Sequence, residues 1–234
     1  MRIWRTWHQW IGLIIGIQVL LWIAGGLYMS AVPLPWVHGK PLLNEVSQPL
    51  SVPSHQAKSL EQSISIADYA SMAWVHGVDQ TLLKVTDFSG KAQFLVFSQG
   101  SWHSAEVLAP TVVEQEAQAR YAGDGAIEQI QLLQSIPAEA AGVNAPAYRV
   151  DFNDWIHTSF YIHPVTGEVL KVRSDLWRLF DIFWMLHIMD YETRDDFNNP
   201  LLIASAVTAL FFTVTGMVLV VSWARKRLLR PRRR

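Results

Sequence analysis

The chain has 234 residues, 50% of them hydrophobic and 17% charged, with 11 Trp, no Cys and a formal net charge of −1. Such a composition excludes a disordered polyelectrolyte, and the missing cysteines exclude a disulfide framework, a thiolate nucleophile, Cys-ligated zinc and iron–sulfur clusters. The neutral sum conceals a partition: all 20 acidic residues lie between Glu45 and Asp196, so residues 32–199, with their ten basic residues, carry −10. Arg2 and Arg5 before it, with Arg225, Lys226, Arg227, Arg230, Arg232, Arg233 and Arg234 after it, carry +9.

In chain order, Trp10 to Met29 is an apolar run with Gln18 as its one clearly polar side chain. Some 20 apolar residues cover a hydrocarbon core of about 30 Å, so the run predicts a transmembrane helix. A cleaved signal peptide is the competing reading, but its apolar core spans only about 7–15 residues and ends at small-x-small. Pro33, Pro35, Pro41, Pro49 and Pro53 mark a linker, followed by a predicted helix over Ser63–Trp74. Strands are expected at Leu82–Phe88 and Lys91–Phe97 across the Ser89-Gly90 turn. Helices are then expected at Thr111–Tyr121 and Ala126–Ser135, and strands at Ala147–Phe152, Trp155–His163 and Glu168–Arg173. Helix then hairpin, twice over, is an α+β pattern with antiparallel sheet.

Trp177 to Tyr191 forms a third apolar patch, too short to cross comfortably and interrupted by Arg178, Asp181, His187 and Asp190. A second span is predicted from Leu201 to Trp223, opened by Pro200 and closed by Arg225-Lys226-Arg227. Basic residues at both ends place both termini in the cytoplasm, so the number of crossings is even. The third patch is then an amphipathic helix at the outer interface. The expected organisation is residues 1–31 as N-terminus and first span, 32–175 as an extracytoplasmic α+β domain, and 176–199 as interfacial helix and turn. Residues 200–224 form the second span and 225–234 a basic cytoplasmic tail. Directly after a span, cytoplasmic retention and anionic-lipid binding explain that tail without nucleic acid.

The segment Phe160-Tyr161-Ile162-His163-Pro164-Val165-Thr166-Gly167-Glu168-Val169-Leu170 resembles the closing hairpin of PepSY domains, with His163 where Asp is commoner. His8-Gln9-Trp10-Ile11-Gly12 is similar to the H-x-W-x-G start of the first span in PepSY-associated transmembrane proteins. Trp177-Arg178 through Leu186-His187 is similar to the Arg/Trp-rich segment that precedes a later span in them. The resemblance covers most of the chain. It implies inner-membrane electron transfer: larger relatives are haem-containing reductases of ferric siderophores, and smaller ones are associated with ferric iron reduction or with flavin-bearing partners. On this reading the cofactor is haem b, with any flavin supplied by a partner. The electron donor is cytoplasmic or a quinone, and the acceptor is iron or a flavoprotein in the periplasm.

Axial haem ligands are usually imidazoles, and His8 heads a stripe with Gly12 and Gly16 at successive i+4 positions. That stripe suits a flat macrocycle or, equally, a second helix. His187 is expected on an apolar face with Phe180, Phe183 and Trp184, as ligand or as satisfied core histidine. A span of about 30 Å keeps His8 and His187 off the same haem. A two-fold homodimer would then supply the second ligand at each level, with His38 as the competitor. Trp10, Trp184 and Arg178 are the expected packing or propionate neighbours. His157 and His163, six apart, would share a face of an unbroken strand near Asp151 and Asp154, a weaker metal-site expectation. The acidic middle attracts cations and repels anionic ferric complexes. The rival to electron transfer is a membrane-anchored PepSY-type binding or regulatory module without catalysis.

Overall fold

The computed structural model describes residues 2–44 and 50–228; Pro49 of the linker and Arg230, Arg232, Arg233 and Arg234 of the tail lie outside them. The chain divides into two compact units, one of residues 35–177 and one of the long helices with residues 178–234.

In the helical unit, α1 runs from Arg2 to Ala31 and α6 from Pro200 to Leu228. Both are long and apolar enough to cross a membrane. A short helix α2, Leu34–Val37, follows α1. Proline at 33 and 35 removes backbone donors just where α1 stops. Asn199 caps the start of α6, its side-chain oxygen accepting from the Leu202 N–H at 2.8 Å. Along α1 the shielded positions include His8, Ile11, Ile15, Gln18, Trp22, Gly25 and Met29, while Leu13, Ile14, Ile17, Leu20, Ile23 and Leu27 are exposed. Alternating steps of three and four make a heptad seam for a partner helix. Phe212 of α6 lies over Gly12, where an added Cβ would sit 2.8 Å from its ring. His8 meets Phe212 and Thr215, so the two helices pair antiparallel.

Helix α5, Asp175–Ile188, packs its later turns against the C-terminal half of α1. Phe183 sits on Gly25 and Tyr28, and the end of α5 reaches Gln18 and Trp22. The last carbonyls of a helix have no intrahelical donors. Here Gln18 Nε2 donates to the Leu186 carbonyl at 2.9 Å, Trp22 Nε1 to that of His187 at 3.0 Å, and Asn199 Nδ2 to that of Ile188 at 2.8 Å. Met189, left-handed at φ 54°, closes the helix. The one polar residue of the first span is thus a cap for another helix.

The other unit holds two four-stranded antiparallel meanders. The first is β1 Ser71–His76, β2 Thr81–Thr86, β3 Ala92–Ser98 and β4 Ser101–Ser104, in that order. The second is β5 Ile127–Leu133, β6 Ala147–Phe152, β7 Ser159–Ile162 and β8 Val169–Arg173. Helix α3, Ser54–Ser63, precedes the first meander, and α4, Pro110–Arg120, precedes the second. Val113, Ala117 and Tyr121, spaced by four, press onto Tyr148, Val150, Phe152, Phe160, Ile162 and Val172. Tyr121 stacks on Phe152 at 3.9 Å, and Phe160 meets Phe152 edge-on at 5.0 Å.

Several expectations need correction. The helix expected over Ser63–Trp74 is instead the end of α3, a 3₁₀ turn at Ile66–Asp68 and the start of β1. Pairing of Ser71–His76 with β2 overrides local propensity there. Ala126–Ser135 is strand β5, not helix. A register shift between Ile127 and Gln129 leaves Ile127, Ile130 and Leu132 all against the core. The bulge puts a spacing of three on one sheet face and so imitates a helical period. The strand expected over Trp155–His163 shrinks to Ser159–Ile162, because Trp155–His157 form a turn with His157 at φ 47°.

Phe160 is fully buried at the centre of the aromatic cluster. Phe160→Ala should cost about 3–5 kcal/mol, read as a lowered denaturant midpoint of the full-length protein followed by near-UV circular dichroism.

Candidate functional site

His8 lies within the helix pair, level with Phe212–Gly216 of α6 rather than before the apolar stretch. Eight residues separate Thr215 from Trp223, so this level is about 12 Å inside the second span. The imidazole stacks on the Phe212 ring at 4.2 Å with 6° between planes. Its Nδ1 is 3.2 Å from the Phe212 carbonyl and 3.1 Å from Thr215 Oγ1, while the Thr215 hydroxyl donates to that same carbonyl at 2.7 Å. A carbonyl only accepts, and the hydroxyl hydrogen is already committed. The network therefore assigns the proton to Nδ1 and leaves the lone pair on Nε2. Gly216 makes room, since a Cβ there would come within 3.0 Å of His8 Cε1. Thr215 is fully buried and fully used.

The glycine stripe divides. Gly12 is filled by Phe212, the helix-packing role, while Gly16 has nothing within 4 Å of a built Cβ. Trp10 is exposed on the outer side of α1.

His187 departs from its expected place. Its side chain is exposed and Ile188 is the buried member of that turn. The His187 ring touches Trp22 at 6.2 Å between centroids. Fourteen residues separate His8 from Trp22, an axial distance of about 21 Å. The two histidines therefore belong to different levels. Trp184 packs its own loop: it stacks with Phe180, meets Phe197 edge-on at 5.4 Å, and donates Nε1–H to the Arg194 carbonyl at 3.0 Å. Arg194 in turn pairs with Asp181. Arg178 is half-buried on α5. In the following loop the Asp190 carboxylate accepts from Thr193 Oγ1 and from the N–H groups of Glu192, Thr193, Asp195 and Asp196. The Thr193 hydroxyl, then these backbone donors, hold it far below the usual carboxylate range.

In the sheet unit, His38 is exposed beside β8. The pairing of His157 with His163 fails because no unbroken strand carries both. His157 Nδ1 lies 2.6 Å from Asp175 in an exposed pair. His163 sits in the turn after β7, its Nδ1 accepting from the Val165 and Thr166 N–H groups at 3.2 and 3.1 Å. Asp151 is held by Arg149 and Ser159, and buried Asp154 by the Tyr121 hydroxyl, Thr158 N–H and Thr158 Oγ1. Among the described residues no group of three or more His, Cys, Asp or Glu is placed to hold a metal ion.

His163 thus does the work an Asp side chain does in an Asx turn. Burial pushes its imidazole below the usual histidine range. Burial, then the Asp154 hydrogen bond, push the Tyr121 phenol up to about 12. Sequence reasoning missed Phe212, Thr215 and Gly216. Their signal was a Thr-Gly pair inside the second span, visible only once its level was matched to His8.

These features define a membrane protein with two candidate spans and an inserted α+β domain. The family model for the PepSY-associated TM region matches residues 5–234, and the chain belongs to that family. Searches of the curated proteins and of the solved structures return no match.

Neutral His163 is the form that accepts two N–H groups, and its lowered native affinity for a proton makes the unfolded chain bind more protons below about pH 6.5. Stability contributed by this turn is complete above that pH and is lost as pH falls through the lower, native value. His163→Asn should flatten that acid-side loss, and His163→Ala should cost about 1–2 kcal/mol at pH 8, both read from denaturant midpoints across a pH series.

Proposed function

We propose that the protein is an inner-membrane haem b protein that passes electrons across the bilayer to ferric iron, a ferric siderophore or a periplasmic redox partner. The observation that carries this reading is the state of His8. Metal-ligating histidines almost always give their second ring N–H to a carbonyl or carboxylate, which fixes the tautomer and orients the ring. The Nδ1–H of His8 is committed in this way to Phe212 and Thr215, inside an apolar helix pair, with Nε2 left as the basic nitrogen. His8 Nε2 would suit a ligand to haem iron, and haem held there would supply one-electron chemistry.

In this reading Phe212 and Gly216 hold the imidazole plane, and Thr215 raises its basicity through the hydrogen bond. No second histidine occurs in either span of this chain. A second copy related by a two-fold axis supplies the other ligand, so the working unit is a homodimer. Exposed His187 stands about 21 Å away along α1 and serves a separate level at the outer side. Both termini lie in the cytoplasm and the acidic domain in the periplasm, as the charge partition directs. The electron donor is then a cytoplasmic protein or a membrane quinone.

The test is the visible spectrum of the full-length protein purified from haem-sufficient cells. A Soret band with dithionite-reducible α and β bands is expected. His8→Ala should abolish the signal of that level, while Thr215→Val should retain it with a raised midpoint potential, because a less basic imidazole stabilises the ferric state less. A folded, colourless protein would overturn the assignment and leave the anchored binding module as the function.

A further inference from the structure

Open sheet edges invite pairing with another chain, and proteins blunt them with short strands, charges, prolines or bulges. Three edge strands of the two meanders are blunted in this way: β4 has four residues, β5 has a bulge and Glu128, and β8 carries Lys171 and Arg173. Strand β1, Ser71-Met72-Ala73-Trp74-Val75-His76, has no Lys, Arg, Asp, Glu or Pro and an unbroken register. Its neighbours fix which of its backbone groups are open. Asp87 donates to the Lys91 carbonyl, so odd-numbered residues of β2 bond to β3 and even-numbered ones to β1. Leu82 and Lys84 stand opposite Val75 and Ala73, which leaves the N–H and C=O groups of Met72, Trp74 and His76 pointing to the outer edge. Among the described residues no strand pairs with that edge.

A cavity of about 550 Å³ runs along it. Trp74, Val75 and His76 all line the cavity, and successive residues point to opposite faces, so it lies at the edge itself. Its far wall is Glu116 and Arg120 of α4, with Glu168 from the turn before β8. Gly167, at φ 72°, holds this turn so near Val78 that an added Cβ would sit 2.6 Å from it. Arg120 pairs with Glu116 at 3.1 Å, whereas the exposed Glu168 carboxylate enters no ion pair among the described residues. The charged lining is thus net −1, in a unit (residues 35–177) with eight Lys and Arg against fifteen Asp and Glu.

We propose that the groove between β1 and α4 binds an extended, basic segment of a partner protein, added as a fifth strand on β1. Ladder bonds to Met72, Trp74 and His76 give the affinity, and alternate side chains give the selectivity. Ala73, Val75 and Phe94 share one face, and Phe94 meets His163 at the start of the turn that holds Glu168. Partner side chains on that face meet Glu168 and are Lys or Arg; those on the other face lie with Trp74 and are apolar. A second copy of this chain fits poorly, because its own β1 brings no cation to Glu168.

The site is independent of the haem reading. Full-length protein in a neutral detergent is titrated with a synthetic peptide of three Lys-Val repeats blocked at both ends, and amide hydrogen exchange is followed by fragment. Exchange over residues 71–76 should slow about threefold or more while β6 and β7 are unchanged. The same peptide N-methylated at every residue keeps its charge, loses its ladder donors and should not protect. Glu168→Lys, at an exposed position, should weaken binding about tenfold. His76→Pro, which removes one outward N–H and spares the bonds to β2, should weaken it as well. Equal protection by the methylated peptide, or binding unchanged in Glu168→Lys, would reduce the effect to general attraction by an acidic domain and overturn the proposal. Protection of residues 71–76 that rises with protein concentration alone would place a second copy on the edge and overturn the partner assignment. No slowing there with the unmodified peptide would overturn the site itself.

Discussion

Inside a bilayer a polar group has only protein to bond with, and the helical unit is arranged around that constraint. Five hydrogen bonds to helix carbonyls hold it together: from His8 and Thr215 to Phe212, and from Gln18, Trp22 and Asn199 to the last carbonyls of α5. Each joins a side chain that would be costly if unpaired to a carbonyl near a helix end or opened by packing. The same bonds set the register of α1 against α6 and of α5 against α1. Removing Gln18 would leave a cap unmade on a different helix, an effect that no inspection of the first span reveals.

The inserted domain solves a different problem with a similar economy of charge. Its second meander packs one face onto α4 through aromatic rings and keeps its other face for Arg149, Asp151, Ser159, Tyr161 and Lys171. Tyr161 is fully buried there because its hydroxyl donates to Glu139 at 2.5 Å, with burial and that carboxylate together raising its pKa. Arg149, Asp151 and Ser159 complete the pairing.

How much was legible depended on the range of the physics involved. Both spans, the hairpin strands at 81–98, helix α4 and strand β6 follow from local period and turn chemistry. Strand β5 was misread because a bulge alters its phase, and β1 because its partner strand decides its conformation. His8 was singled out from its place at the head of the glycine stripe, yet its depth depends on the pairing with α6. His187 was expected inward, and one residue of helix phase, about 100°, put Ile188 there instead. The histidine that replaces Asp at 163 was noted as a departure. Only the two backbone N–H groups converging on its Nδ1 explain why the turn accepts it.

By itself the sequence determined the class: two apolar runs of bilayer length, basic ends, an acidic insert and a family signature across the chain. Hydrophobic length and net charge are sums over neighbouring residues, so they survive without coordinates. The tertiary structure decided what His8 bonds to, what Gly12 is for and what Gln18 caps. Those are directional contacts between residues up to about two hundred positions apart, and neither periodicity nor composition carries direction.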